Sequence, residues 1–174
     1  MKTLYILRHA KSSWEAPALA DFDRPLNDRG VHAASFMGEL IAQHGYTPEI
    51  LLCSPAHRAR HTAQIIISEA GIVGPIVFDD RIYEASPTAL KQVISEVDDS
   101  ISSIMIIGHN PGMEGLVRSL TGDIQAMPTA ALAVVDVSIE RWTAIHNGDG
   151  ILQAVYRPRE ELAKKNNAFR SNSY

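Results

Sequence analysis

Cysteine is almost absent from this 174-residue chain, Cys53 standing alone, which excludes a disulfide framework and any cysteine-built zinc module. Long apolar runs are missing too: nothing approaches the roughly 20 residues a membrane helix requires. Near the N-terminus only Thr3–Leu7 leans apolar, between Lys2 and Arg8, too short for the core of a secretory signal. The expectation is a cytoplasmic protein with no membrane partner. Basic charge is also not in excess. Sixteen Lys and Arg against twenty Asp and Glu give a net charge of -4, which speaks against nucleic acid or an anionic membrane, since both reward a basic surface. A small basic pocket remains compatible with that balance.

What is present is ordinary for a globular chain, 45% hydrophobic and 21% charged, and the length suits a single domain over residues 1–174 with one substantial core. Neither an internal repeat nor an interdomain linker stands out. Short apolar runs alternate with longer stretches of helical period. Strands are expected at Thr3–Leu7, Ile50–Cys53, Ile76–Phe78 and Ser103–Ile107, and helices at Leu26–Gln43, Ala56–Ala70, Pro87–Val97 and Met113–Leu120. Ala131–Val137 and Ile151–Tyr156 flank a turn-rich His146–Gly150 segment and read as a β-ribbon. Such alternation indicates a three-layer α/β/α sandwich on a mainly parallel sheet. The polar segment from Arg157, carrying Arg157, Arg159, Lys164, Lys165 and Arg170, reads as a frayed, solvated helix or a disordered tail.

Three of the expected strands run into reactive residues. Arg8-His9-Ala10 follows the first, Ser54-Pro55-Ala56-His57-Arg58 the second, and Gly108-His109-Asn110-Pro111-Gly112 the strand at Ser103–Ile107. In open α/β sheets ligands bind outside the carboxyl ends of the strands. If these strands are parallel neighbours, His9, His109, Arg8 and Arg58 converge on one rim. Ser54-Pro55 and Asn110-Pro111 also read as an N-cap followed by proline at the first helical position, and a helix start suits an anion. Arginines form charge-assisted, often bidentate bonds to phosphate oxygens, each worth on the order of 1.5–3 kcal/mol. The constellation describes a phosphate site whose histidines are the reactive groups.

Leu7-Arg8-His9-Ala10 resembles the Arg-His-Gly signature of the histidine phosphatase superfamily, which includes the phosphoglycerate mutases. Ser54-Pro55-x-x-Arg58-Ala59-x-x-Thr62 resembles the second motif of that superfamily, and Gly108-His109 the third. The likeness runs from Thr3 to about Leu120. With Asp23-Arg24-Pro25-Leu26 and Gly30 in a short chain, it is most similar to the small phosphohistidine phosphatases. The resemblance implies a phosphoglycerate mutase-like fold. It makes His9 the nucleophile that becomes phosphorylated and gives Arg8, Arg58 and His109 the task of holding the phosphoryl group. Ser12 and Asn110 are further candidates for contact with the phosphate. Physical chemistry agrees: a neutral imidazole can attack phosphorus once a partner on its other nitrogen fixes the tautomer, most simply a backbone carbonyl. Positioning and charge neutralisation supply the rest, and two arginines with a second histidine do so without a metal or cofactor.

Two features complicate the resemblance. Ala10 stands where glycine is usual, and would be strained if that position demanded a positive φ. Glu84, in Arg81-Ile82-Tyr83-Glu84-Ala85, resembles the general acid of mutases and ester phosphatases, and in the pocket it would protonate an alkoxide leaving group. The expected substrate is phosphohistidine on a protein such as a phosphorelay domain, because the segments between motifs leave little sequence for a lid. A small phosphomonoester is the alternative. A phosphoprotein-binding module without turnover is a rival of another class.

Other features support blander readings. His57 and His61 are four residues apart, a spacing able to ligate zinc on one helix face, but without an obvious third ligand. Cys53 lacks the arginine register of a cysteine phosphatase, since position 59 is alanine, and reads as a buried strand residue. Asp21-Phe22-Asp23 is expected in a loop whose carboxylates border the pocket or bind Arg24.

Overall fold

The computed structural model describes residues 1–173. Its centre is a six-stranded sheet ordered β3-β2-β4-β1-β5-β6, formed by β1 (Lys2–Arg8), β2 (Ile50–Cys53), β3 (Ile76–Phe78), β4 (Ser103–Gly108), β5 (Leu132–Val137) and β6 (Gly150–Tyr156). The four strands β3, β2, β4 and β1 are mutually parallel, whereas β5 runs antiparallel to β1 and β6 antiparallel to β5. The expected ribbon at the C-terminal end is therefore present as β5–β6, with a register shift at Val134/Val135.

The three inner parallel strands, β1, β2 and β4, are largely buried on both faces and read as near-continuous apolar runs, whereas the edge strand β3 exposes Val77 and Phe78. Alternate residues go to opposite sides. Leu4 and Ile6 of β1, with Ile104 and Ile106 of β4, join the core under α3 (Pro87–Ser95) and α4 (Gly112–Thr121). Tyr5, Leu7, Met105 and Ile107 join the core under α1 (Asp28–Gln43) and α2 (His57–Ala70). Helices thus cover both faces, giving the α/β/α layering.

Element boundaries move where local chemistry decides them. Helix α1 starts at Asp28 rather than Leu26, because the Asn27 carboxamide accepts from the Gly30 N–H and caps it, while Leu26 bridges back to Ser12. Helix α3 stops at Ser95, two residues short of Val97. The polar tail is an ordered helix, α5 (Pro158–Ser171), with no buried residue. It is tied down at its entry, where Arg157 donates to the Ala126 carbonyl and to Gln125. Among the described residues no helix is long and apolar enough to cross a membrane.

Candidate active site

The strand register creates the site. Arg8 pairs with Gly108 across β1–β4, and Cys53 pairs with Ile107 across β2–β4, so His9, Ser54 and His109 leave three adjacent strands at one level. They open into a cleft of about 320 Å³ lined by Arg8, His9, Ser12, Arg58, His109 and Asn110, with Lys11, Trp14, Arg24 and Thr129 around them. Six of the seven residues expected from sequence are brought together here.

His9 is buried and held in one tautomer. Its Nδ1 lies 2.6 Å from the Ala10 carbonyl, which accepts only from a protonated nitrogen, so Nε2 carries the lone pair. Arg58 Nε donates to that Nε2 at 3.4 Å. Burial, with the neighbouring His109, Arg58 and Arg8 acting in the same direction, depresses the His9 pKa to about 3. The ring is therefore neutral near pH 7. The loop that carries it is fixed from α2: the Thr62 hydroxyl accepts from the Ala10 N–H and donates to the Arg58 carbonyl.

His109 stacks obliquely on His9, ring centroids 4.9 Å apart. Its Nδ1 accepts from Arg58 Nη2 at 3.3 Å, and its Nε2 meets the Ser54 hydroxyl at 2.8 Å. Burial and Arg58 lower its pKa to about 4. Ser54 is not the expected cap of α2. The cap position falls on Ala56, two residues further on; the Ser54 hydroxyl accepts from the Ala56 N–H just ahead of the helix and meets His109. Asn110 likewise yields the cap position to Pro111, although its Oδ1 accepts from the Glu114 N–H. Its amide nitrogen donates to Glu114 Oε1 and to the Met127 carbonyl.

The cationic side chains are anchored from behind. Arg8 donates from Nη1 to the Met127 carbonyl at 3.0 Å, and burial lowers its pKa. Its Nε is buried with no hydrogen-bond partner; an unmet donor of this kind costs about 1–3 kcal/mol, which a phosphoryl oxygen would relieve. Arg58 is gripped by Asp21, Nη1 donating to the Asp21 carbonyl at 2.6 Å and Nη2 to Oδ2 at 2.9 Å.

A third arginine was not legible as a site residue. Arg24 is buried, and donates to Ser12 Oγ at 2.5 Å, to the Ser13 carbonyl and to Asp21 Oδ1. The Trp14 ring covers its guanidinium at 3.2 Å while remaining 75% exposed. The expected loop carboxylate is thus Asp21, which joins Arg24 to Arg58. The Tyr83 hydroxyl donates to Asp21 Oδ2 at 2.6 Å, and this bond, followed by those from Arg58 and Arg24, lowers the Asp21 pKa to about 2.

Glu84 is not gathered into the cleft. Ile82 packs inward, and Tyr83 lies edge-on to His109 at 5.3 Å and against Phe22. The chain then passes through a left-handed conformation, φ 52 at residue 84, which leaves Glu84 exposed. Ala10 is unstrained: among the described non-glycine residues only Glu84 and Ala130 have positive φ, and the Ala10 methyl packs in the core under α1 and α2. Among the described residues no group of three or more His, Cys, Asp or Glu is placed to hold a metal ion, so His57 and His61 have no third ligand. Cys53 is buried, and burial pushes its thiol pKa up.

Known proteins share this architecture. A protein of Mycobacterium leprae with no assigned function is 31% identical over 166 residues, covering 88% of this chain and all of its own length. The crystal structure of a candidate phosphohistidine phosphatase SixA from Agrobacterium tumefaciens superposes with a TM-score of 0.77 at 32% identity, covering 90% of this chain and 98% of that one. The protein histidine phosphatase SixA complexed with tungstate superposes with a TM-score of 0.75 over 91% of this chain and 99% of that one; at 20% identity it speaks for the fold alone. Residues 4–102 match the family model of the histidine phosphatase superfamily, branch 1. That match spans more than half of the sequence, and the chain belongs to the histidine phosphatase superfamily, as a histidine-type phosphatase.

Proposed function

We propose that the chain hydrolyses phosphohistidine on a protein through a phosphorylated His9, without a metal. The observation that carries this reading is the state of His9: Nδ1 bound to the Ala10 carbonyl, Nε2 unprotonated, and Arg58 alongside it. The likeness to the candidate phosphohistidine phosphatase of Agrobacterium tumefaciens supports the choice of substrate.

In the first step the Nε2 lone pair forms a bond to phosphorus as the substrate's N–P bond breaks. The departing ring keeps the electron pair and leaves as neutral imidazole when its far nitrogen carries a proton. Little acid assistance is needed, in keeping with Glu84 lying outside the cleft. Arg58 and Arg8, the latter through its unmet Nε–H, take the equatorial oxygens, with Ser12 and Asn110 beside them and His109 joining once the phosphoryl dianion raises its pKa. In the second step water attacks phosphorus, the His9–phosphorus bond breaks, and inorganic phosphate leaves with His9 neutral again. Charge neutralisation by side chains is the main catalytic requirement of such a transfer.

The test is a side-by-side assay of a phosphohistidine protein and a phosphoester panel in excess chelator, with acid-labile label sought on the enzyme. Wild type should turn over phosphohistidine preferentially and carry label on His9. His9→Ala should lose turnover by several orders of magnitude, the scale seen when a nucleophile is deleted. Preference for esters would favour the small-molecule reading. Retention of phosphoprotein without phosphate release would favour a binding module.

A further inference from the structure

Beside the cleft lies a second hollow of about 500 Å³, and the two share Lys11 and Thr129 as a common wall. Beyond that wall it is bounded by Arg29 in the first turn of α1 and by Arg157, Arg159 and Glu160 where the chain enters α5. Its charge is one-sided. Four cations meet one carboxylate, in a chain whose net charge is -4. Arg157 is engaged, reaching Glu160, Gln125 and the Ala126 carbonyl. Lys11, Arg29 and Arg159 have no carboxylate within ion-pair distance among the described residues.

Arg29 and Arg159 are also placed against local preference. Each occupies the first turn of its helix, where the positive end of the helix dipole disfavours a cation. Local rules broken without a structural return tend to mark function. The approach of α1 is itself enforced: a side chain at Gly30 would collide with the Lys11 carbonyl, so glycine lets the turn bearing Arg29 press against the loop that follows His9.

We infer that this hollow docks an acidic protein surface flanking the phosphorylated histidine. The inference rests on the reading of the cleft as a phosphohistidine phosphatase site, and adds how the substrate is recognised. A protein is the occupant because the cations come from three separate chain segments and bound a space larger than the cleft itself; a small ester seated in the cleft has nothing left to fill it. Exposed complementary charges of this kind act on encounter and KM more than on the chemical step.

Two phosphohistidine peptides of equal length test the inference, one flanked by aspartate and glutamate, the other by serine and glycine. The enzymes are wild type and Arg29→Gln/Arg159→Gln, neither position lining the cleft. Wild type should show a KM about tenfold lower for the acidic peptide, with kcat alike for both. The double variant should bring the two KM values together while hydrolysing free phosphohistidine at the wild-type rate, which also reports that it folds. Raising NaCl from about 0.05 to about 0.5 M should erase the preference in the same way. Equal KM values in wild type, or a preference that survives the double variant or the salt, would overturn the docking inference and leave the chemistry of the cleft standing. Failure of wild type to hydrolyse any phosphohistidine substrate overturns both.

Discussion

The Nε of Arg58 stands 3.4 Å from the Nε2 of His9. A fixed donor facing His9 Nε2 keeps that nitrogen unprotonated and, in the proposed reaction, places a cation where phosphoryl oxygens would arrive. The same guanidinium reaches His109 and Asp21, a set of contacts that needs a planar fork. Arg58→Lys keeps the charge and loses the fork. Its kcat is expected to fall by about two to three orders of magnitude, measured under single turnover so that the first chemical step is read directly. A lysine variant within tenfold of wild type would show that charge alone suffices.

Burial of the two histidines ties stability to pH. With His9 held to about 3 and His109 to about 4, both below the ordinary value near 6.5, the unfolded chain binds protons that the folded chain does not. The sign follows: stability is complete above about pH 6.5 and is lost as pH falls toward the folded values, by roughly 1.4 kcal/mol per pH unit for each histidine. Urea unfolding at pH 5 and pH 6 should show that slope for two protons. His9→Gln removes one of them, and its slope should drop by about half. A wild-type slope near zero in this interval would mean that neither ring is held neutral.

Much of this cleft was readable from the sequence, for a definite reason. Arg8, His9 and His109 sit at ends of apolar runs and Arg58 in the first turn of the helix that follows another, and parallel strands deliver such ends to one rim whatever the loops do. The fold followed from the same alternation. Arg24, Asp21 and Trp14 were harder, because they reach the cleft from one irregular segment, where no period predicts direction. Arg24 is buried only because Asp21, Ser12 and Ser13 satisfy it, and a buried arginine cannot be told from a solvated one by residue type. Glu84 shows the converse: its sequence context resembled that of a catalytic acid, but one left-handed residue carries the side chain outward.

Asp21 holds two cleft arginines and offsets part of their charge, bonding Arg24 through Oδ1 and Arg58 through Oδ2. Asp21→Asn retains an acceptor and removes the charge that an incoming phosphoryl dianion must face. Inorganic phosphate is therefore expected to inhibit the variant about three- to tenfold more tightly, on the scale of one exposed charge interaction. The turnover rate should fall as both arginines loosen. Weaker product inhibition in Asp21→Asn would show that holding the arginines matters more than the repulsion it removes.

Ala10 occupies backbone that does not demand glycine, and its methyl is fully buried. Ala10→Gly should leave kcat within about threefold and cost about 0.5–1 kcal/mol of stability through added backbone freedom. For a chain of this length that corresponds to a drop of about 1–4 °C in Tm. A gain in stability would mean that the backbone there is strained after all.

Glu84 lies exposed outside the cleft, while its neighbour Tyr83 touches His109 and donates to Asp21. An exposed carboxylate away from the leaving group has no route to deliver its proton, so Glu84→Gln should keep turnover within about twofold on phosphohistidine and on esters alike, well short of the 100-fold or more expected from losing a general acid. Tyr83→Phe removes one donor to Asp21 but keeps its charge and its pairs with Arg24 and Arg58, so it should not reproduce the tighter phosphate inhibition of Asp21→Asn. Glu84→Gly adds an independent check, since glycine accepts the positive φ more readily and should raise stability by up to about 1 kcal/mol. Loss of ester hydrolysis alone in Glu84→Gln would require the segment from residue 83 to 85 to swing inward with substrate, and would return small phosphoesters to the front of the substrate list.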